Sequence, residues 1–199
     1  SKKLNYNLGR IYQNLAVLYG TSANYTQSIA CLDTAIKNYQ QSNHPRAVKM
    51  LASAYNDIAG KYKTINDTEE SVQYYLKGIA LLEKTESAAD LVTPYCNIAN
   101  LFGDIGDPKR QNEYAYKALA AAKKTGTAQK IFMACFTLAN AYIHTQQDNP
   151  VMAKKYIDTA GFYFDEKALI NNPDIQLSYY LIRAQVFRQL EQFDSAEFY

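Results

Sequence analysis

One spacing recurs five times along this chain, and it restricts the fold more than any other feature. The pattern is an aromatic residue, two positions, an aliphatic residue followed by Ala, two more positions and a second aromatic. It reads Tyr12/Leu15/Ala16/Tyr19, Tyr55/Ile58/Ala59/Tyr62 and Tyr95/Ile98/Ala99/Phe102, then Cys135/Leu138/Ala139/Tyr142 and Tyr180/Arg183/Ala184/Phe187. Ala keeps its place in every copy, and the closing residue is always Tyr or Phe. From Ala to Ala the copies lie 43, 40, 40 and 45 residues apart. Intervals of three, four and seven put the pattern on one face of a helix, so each copy predicts a first helix, A.

A second helix, B, is predicted after a short polar turn. It carries a small residue, a larger apolar one four positions on and a small one three further: Ser28/Leu32/Ala35, Ser71/Tyr75/Gly78 and Ala153/Ile157/Ala160. Gln111/Ala115/Ala118 is a weaker third copy, and the fifth has Ala196 alone. Small residues let two helix backbones approach, while an aromatic one turn away fills the groove beside them. A single such hairpin cannot bury its own apolar stripe, so hairpins must stack.

The chain-breaking residues keep the same phase. Pro45 and Pro173 fall between copies, Pro108 and Pro150 open B helices behind the capping residues Asp107 and Asn149, and Pro94 sits near a helix start. With Gly at 8 and Pro at 5 in 199 residues, few further breaks are available, and long helices are favoured. The expected helices are 5–20, 24–42, 46–64, 68–84, 89–105, 108–125, 127–146, 150–167, 173–190 and 193 onward. Together they make one all-α domain over 1–199, with repeats at 5–42, 46–84, 89–125, 127–167 and a truncated 173–199.

On these residues the chain resembles the tetratricopeptide repeat family, whose W-x2-L-G-x2-Y and A-x3-F pattern is met by Tyr12/Leu15/Ala16/Tyr19 with Ser28/Leu32 and their successors. It departs in using Tyr for Trp, in placing Arg183 at an aliphatic position, and in a period longer than the usual ~34 residues. The long period is similar to that of kinesin light chains and bacterial peptide-sensing regulators. The Tyr-rich, Trp-free style resembles the sensory repeats of bacterial membrane-bound histidine kinases and transcriptional regulators. What the resemblance implies is a right-handed superhelix of hairpins whose A helices line a concave groove.

The A-helix positions turned away from helix B would face such a groove: Asn14, Asn56, Asp57, Asn97, Asn100, Asn140 and Gln185. An amide offers both a donor and an acceptor, so a ladder of them satisfies an extended peptide backbone whatever its side chains. The plainer reading of each is a solvated surface residue. Arg10, Lys63 and Arg188 are too widely spread over the repeats to converge on one carboxylate. Tyr12, Tyr19, Tyr55, Tyr62, Tyr75, Tyr142 and Tyr180 are assigned to packing between helices, while Tyr114 and Tyr116 remain candidate contact residues.

Other chemistry finds little support. A formal charge of +2, from 21 Lys and Arg against 19 Asp and Glu, is too balanced for phosphate-driven nucleic-acid binding. The longest strictly apolar run, Ile131 to Phe136, is far short of the ~20 residues a membrane helix needs. Cys96 and Cys135 are expected as buried, inert thiols, the alternative for Cys96 being a place in the groove, and the spacing of Cys31, Cys96 and Cys135 and of the two histidines suggests no metal site. His44 and His144 have no orienting neighbour in sequence, Lys123 and Lys124 suit a helix C-terminus, and Asp57 and Asp104 do not pair. No phosphate loop or nucleophile motif is present, so neither an enzyme nor a cofactor is expected.

The expected function is a non-catalytic module for binding protein or peptide, the sensing or scaffold region of a bacterial regulatory protein. An extracytoplasmic position is favoured over a cytoplasmic one. Starting at Ser1 and stopping at Tyr199 within an amphipathic segment, the chain is expected to be part of a longer protein. Self-association as a homodimer is the alternative, with Phe193, Phe198 and Tyr199 needing a cover.

Overall fold

The computed structural model describes residues 2–85, 87–144, 149–163 and 173–190. Nine helices stand among the described residues, and no strand does. They are α1 (Lys2–Thr21), α2 (Tyr25–Gln40), α3 (Ala47–Thr64), α4 (Thr68–Glu83), α5 (Ala88–Asp104), α6 (Pro108–Thr125), α7 (Ala128–His144), α8 (Pro150–Phe162) and α9 (Pro173–Gln189). The all-α fold class is as the repeat pattern predicts. Helix α8 runs to Phe162 with Tyr163 as its C-cap, whose N–H turns back onto the Ala160 carbonyl at 3.0 Å, and residues 164–167 of the expected helix lie outside the described residues. The expected helix from 193 onward lies outside the described residues, as do Ala196, Phe193, Phe198 and Tyr199.

The helices form two compact units, Ser1–Pro94 and Tyr95–Tyr199. In the first, α1 packs on α2, α2 on α3 and α3 on α4. Its core gathers Leu32, Ala35, Tyr39 and Ile58, each nearly solvent-free, around the repeat residue Ala16. In the second, α6 packs on α7, α7 on α8, and α9 on both α7 and α8. Leu138, Ile157, Val186 and the alanines Ala139 and Ala160 are fully buried there.

The same pair of contacts recurs where A gives way to B in four successive repeats. The N–H of Asn24, Asp67, Asp107 and Asn149 returns to the carbonyl of the closing aromatic, Tyr19, Tyr62, Phe102 and Tyr142, at 2.8–3.1 Å. Each of these four side chains then caps the next helix, accepting from the N–H of Gln27, Glu70, Arg110 and Met152. In the first three turns the residue before the cap is left-handed: Ala23 at φ 55, Asn66 at φ 61 and Gly106 at φ 74. This is the helix-ending geometry in which a positive-φ residue satisfies the last carbonyls. Only Gly106 adopts it without a Cβ penalty.

The small B-helix residue also has a polar task. Ser28 Oγ donates to the Ala16 carbonyl at 2.7 Å and Ser71 Oγ to the Ala59 carbonyl at 2.8 Å, tying B to A where both are buried. In the third repeat Gln111 stands there, 2% exposed, and it fits because Gly103 faces it. A Cβ on Gly103 would lie 2.5 Å from Gln111 Nε2. In the weak third copy Gln thus stands where Ser does in the first two, with Gly103 leaving room for it.

The closing aromatics stack on an aromatic of the following B helix. Tyr62 lies on Tyr74 (5.5 Å between centroids, 7° between planes), Phe102 on Tyr114 (5.6 Å, 24°) and Tyr142 on Tyr156 (5.8 Å, 10°). Tyr114, a candidate contact residue from sequence, is therefore half-buried packing, whereas Tyr116 stays 41% exposed.

Candidate functional site

In the first unit, helix α3 turns one polar face toward the start of α5. Lys49, Ser53 and the adjacent pair Asn56 and Asp57 lie about one helical turn apart, and Asp90, Thr93 and Pro94 of α5 lie opposite. Together with Ala52 and Leu82 they border an open cavity of about 340 Å³. Lys49 Nζ meets Asp90 Oδ1 at 2.6 Å, and Ser87 Oγ donates to Asp90 Oδ2 at 2.8 Å. That carboxylate is held in place from two sides.

Behind the cavity runs a chain of hydrogen bonds through three helices. Tyr39 OH on α2 donates to Gln13 Oε1 on α1 at 2.8 Å. Gln13 Nε2 in turn donates to Asp57 Oδ2 at 2.7 Å and lies 3.1 Å from Ser53 Oγ on α3. Gln13 is 8% exposed, so both ends of its amide must be matched, and they are. Burial raises the Asp57 carboxyl above its ordinary value, against the Gln13 hydrogen bond and the charge of Lys61, which lower it. Burial likewise pushes the Tyr39 phenol up to about 12.

The predicted site residues divide between the units. Asn56 and Asp57 are half-buried and share the cavity wall, while Asn14 is exposed on α1 and takes no part in that lining. Asn97 and Asn100 on α5, Asn140 on α7 and Gln185 on α9 are half-buried members of the second unit. The sequence reading did not single out Lys49, Ser53, Asp90 or Thr93. Extending the Asn56 face backwards by one turn and then another would have reached Ser53 and Lys49. Asp90 and Thr93 carry no such signal, since they belong to the next repeat.

A second open cavity, of about 440 Å³, lies in the same unit among Tyr6, Asn7 and Arg10 of α1 and His44, Pro45 and Arg46 ahead of α3. His44 has neighbours after all: its ring stacks on Tyr6 at 3.8 Å and 15°, and Nδ1 accepts the Arg46 N–H at 3.2 Å. The side chain of His144 lies outside the described residues.

In the second unit three phenols meet. Tyr116 and Tyr142 share a hydrogen bond of 2.6 Å, and Tyr156 OH donates to Tyr116 at 3.3 Å. Burial, followed by the Tyr116 hydrogen bond, holds Tyr142 at about 12. Cys96 and Cys135 are buried free thiols, raised by burial to about 12 and about 11 and so far from the thiolate form. Arg183, at its unusual position, donates to Tyr179 OH at 3.0 Å. No group of three or more His, Cys, Asp or Glu among the described residues is placed to hold a metal ion. No described helix is long and apolar enough to cross a membrane.

The tetratricopeptide repeat model matches residues 9–42. Repeats of that family generally mediate protein–protein interaction. Among solved structures the chain is similar to BtubC (BKLC) from P. vanneervenii, at 16% identity and a TM-score of 0.80, covering 96% of this chain and 77% of that one. It is also similar to a kinesin light chain-like protein of Podosopora anserina with nearly identical TPR-like repeats, at 15% identity and a TM-score of 0.68, covering 97% and 91%. No curated protein matches. At these identities the likeness is one of fold, and that fold is the TPR-like helical repeat.

Proposed function

We propose that the chain is a non-catalytic module that holds an extended segment of another polypeptide against the exposed faces of its A helices. The observation that carries this reading is the cavity in the first unit. Ser53, Asn56, Asp57 and Thr93 line it with donors and acceptors, beside the fixed Lys49–Asp90 pair. Such a mixed wall can satisfy backbone N–H and C=O groups, and it suits the interaction role general to tetratricopeptide repeats. Asn14 on α1 offers the same chemistry in the first unit, and Asn97, Asn100, Asn140 and Gln185 offer it within the second. In this reading the module is the sensing or scaffold region of a bacterial regulatory protein and lies outside the cytoplasm.

Selection from a random peptide library displayed on phage, followed by affinity measurement, tests it. Replacing Asn56 and Thr93 together by Ala should weaken selected peptides about tenfold, the scale of one or two lost hydrogen bonds. Unchanged affinity would remove the cavity from the binding surface. The pair Asn100→Ala and Asn140→Ala asks the same of the second unit.

A second reading, self-association, is favoured by helix α1. Leu4, Ile11 and Leu18 recur at intervals of seven and are 53%, 59% and 64% exposed, an apolar stripe on one side of the helix. Light scattering over a range of concentrations separates the two readings, with a strict monomer at high concentration excluding the second.

A further inference from the structure

We propose that the cavity between the first half of α1 and the loop ahead of α3 is an oxyanion site, built to take a phosphate or carboxylate group through Arg10, Arg46 and His44. Six residues line it, and no carboxylate is among them: Tyr6, Asn7, Arg10, His44, Pro45 and Arg46. Both arginines are exposed, and neither forms an ion pair with a described residue. Two guanidinium forks facing one cavity without an internal counter-ion form a donor set that matches the paired oxygens of phosphate and carboxylate.

The third donor is fixed in advance. Tyr6, 8% exposed and tilted against Tyr39 at 6.1 Å, gives the His44 ring a buried platform to stack on. The His44 N–H donates to Ser42 Oγ at 3.1 Å, and Nδ1 accepts the Arg46 N–H. With Nδ1 occupied as an acceptor, the ring hydrogen sits on Nε2, which is left as a donor. Arg46 is also the N-cap of α3 and supplies no side-chain cap, so the positive end of that helix adds to the field. Arg10 alone could not form a clamp with Lys63 and Arg188, but the fold gives it a different partner across 36 residues of chain.

The experiment is a titration of the whole chain with inorganic phosphate at constant ionic strength, followed by amide shifts in a nitrogen–proton correlation spectrum. Chloride serves as the reference, and the readout needs no peptide, so it stands apart from the reading proposed above. Saturable shifts are expected at Asn7, Arg10, His44 and Arg46. They should weaken about tenfold in Arg10→Gln or Arg46→Gln and vanish in the double variant, on the scale of charged hydrogen bonds. His44→Phe keeps the stack on Tyr6 and removes both the Nε2 donor and the Nδ1 acceptor of the Arg46 N–H, so it should weaken binding. Lys123→Gln with Lys124→Gln should change nothing. Acetate and a phosphoserine peptide run in parallel tell the two oxyanions apart. Shifts spread over the basic residues generally, or unchanged in the double variant, would overturn the proposal.

Discussion

At Asp57 the demands of folding and of binding meet in one carboxylate. Its Oδ2 is committed to Gln13, and burial makes its charge expensive. The folded chain therefore keeps this proton in a pH range, above the ordinary carboxylate value of ~3.9, where the unfolded chain has released it. Stability falls as pH rises through that range, and the ionised group is a net cost at neutral pH. Asp57→Asn retains an acceptor for Gln13 and removes the charge. Urea midpoints should show its advantage over the parent growing from pH 4 to pH 7, and an advantage that shrinks would refute the burial argument. Gln13→Ala instead strands Tyr39 and Asp57 together and should cost about 2 kcal/mol. None of this was legible in sequence, because Gln13 and Asp57 stand 44 residues apart and neither belongs to the repeating pattern.

The helices themselves were far more legible, and the turns explain why. Each of the first four A helices ends where its closing aromatic carbonyl is claimed by a capping Asn or Asp, so the sequence spaces both ends of the turn. What the pattern hid was the conformation between them. Ala23 occupies the left-handed position that Gly106 fills two repeats later. Ala23→Gly should stabilise the chain by about 1 kcal/mol and Gly106→Ala should destabilise it by a similar amount, read from urea midpoints. The direction of each change is the point, since a simple entropic cost of glycine would make the first unfavourable and the second favourable. Asp107→Ala tests the other half of the device and should lower the urea midpoint through loss of the cap to Arg110. The Gln111–Gly103 exchange escaped a reading by residue type because a large polar side chain and a missing Cβ are matched only in space.

For the molecule as a whole, the division at Pro94/Tyr95 sets what a local injury can reach. Each unit holds its own buried aliphatic set, Leu32 and Ile58 in one, Leu138 and Ile157 in the other. In stacked repeats, stability is a sum of repeat and nearest-neighbour contributions, so a cavity in one unit should not be shared evenly by all. Leu32 is 1% exposed, and Leu32→Ala should cost about 3 kcal/mol. Hydrogen exchange followed by mass spectrometry should then show protection falling across α1 to α4 and largely kept in α6 to α8. A uniform loss would mean a single shared core, a bundle in place of a stack. The repeat reading of the sequence would fail with it, because five copies of one spacing imply partners next in line and not a common centre.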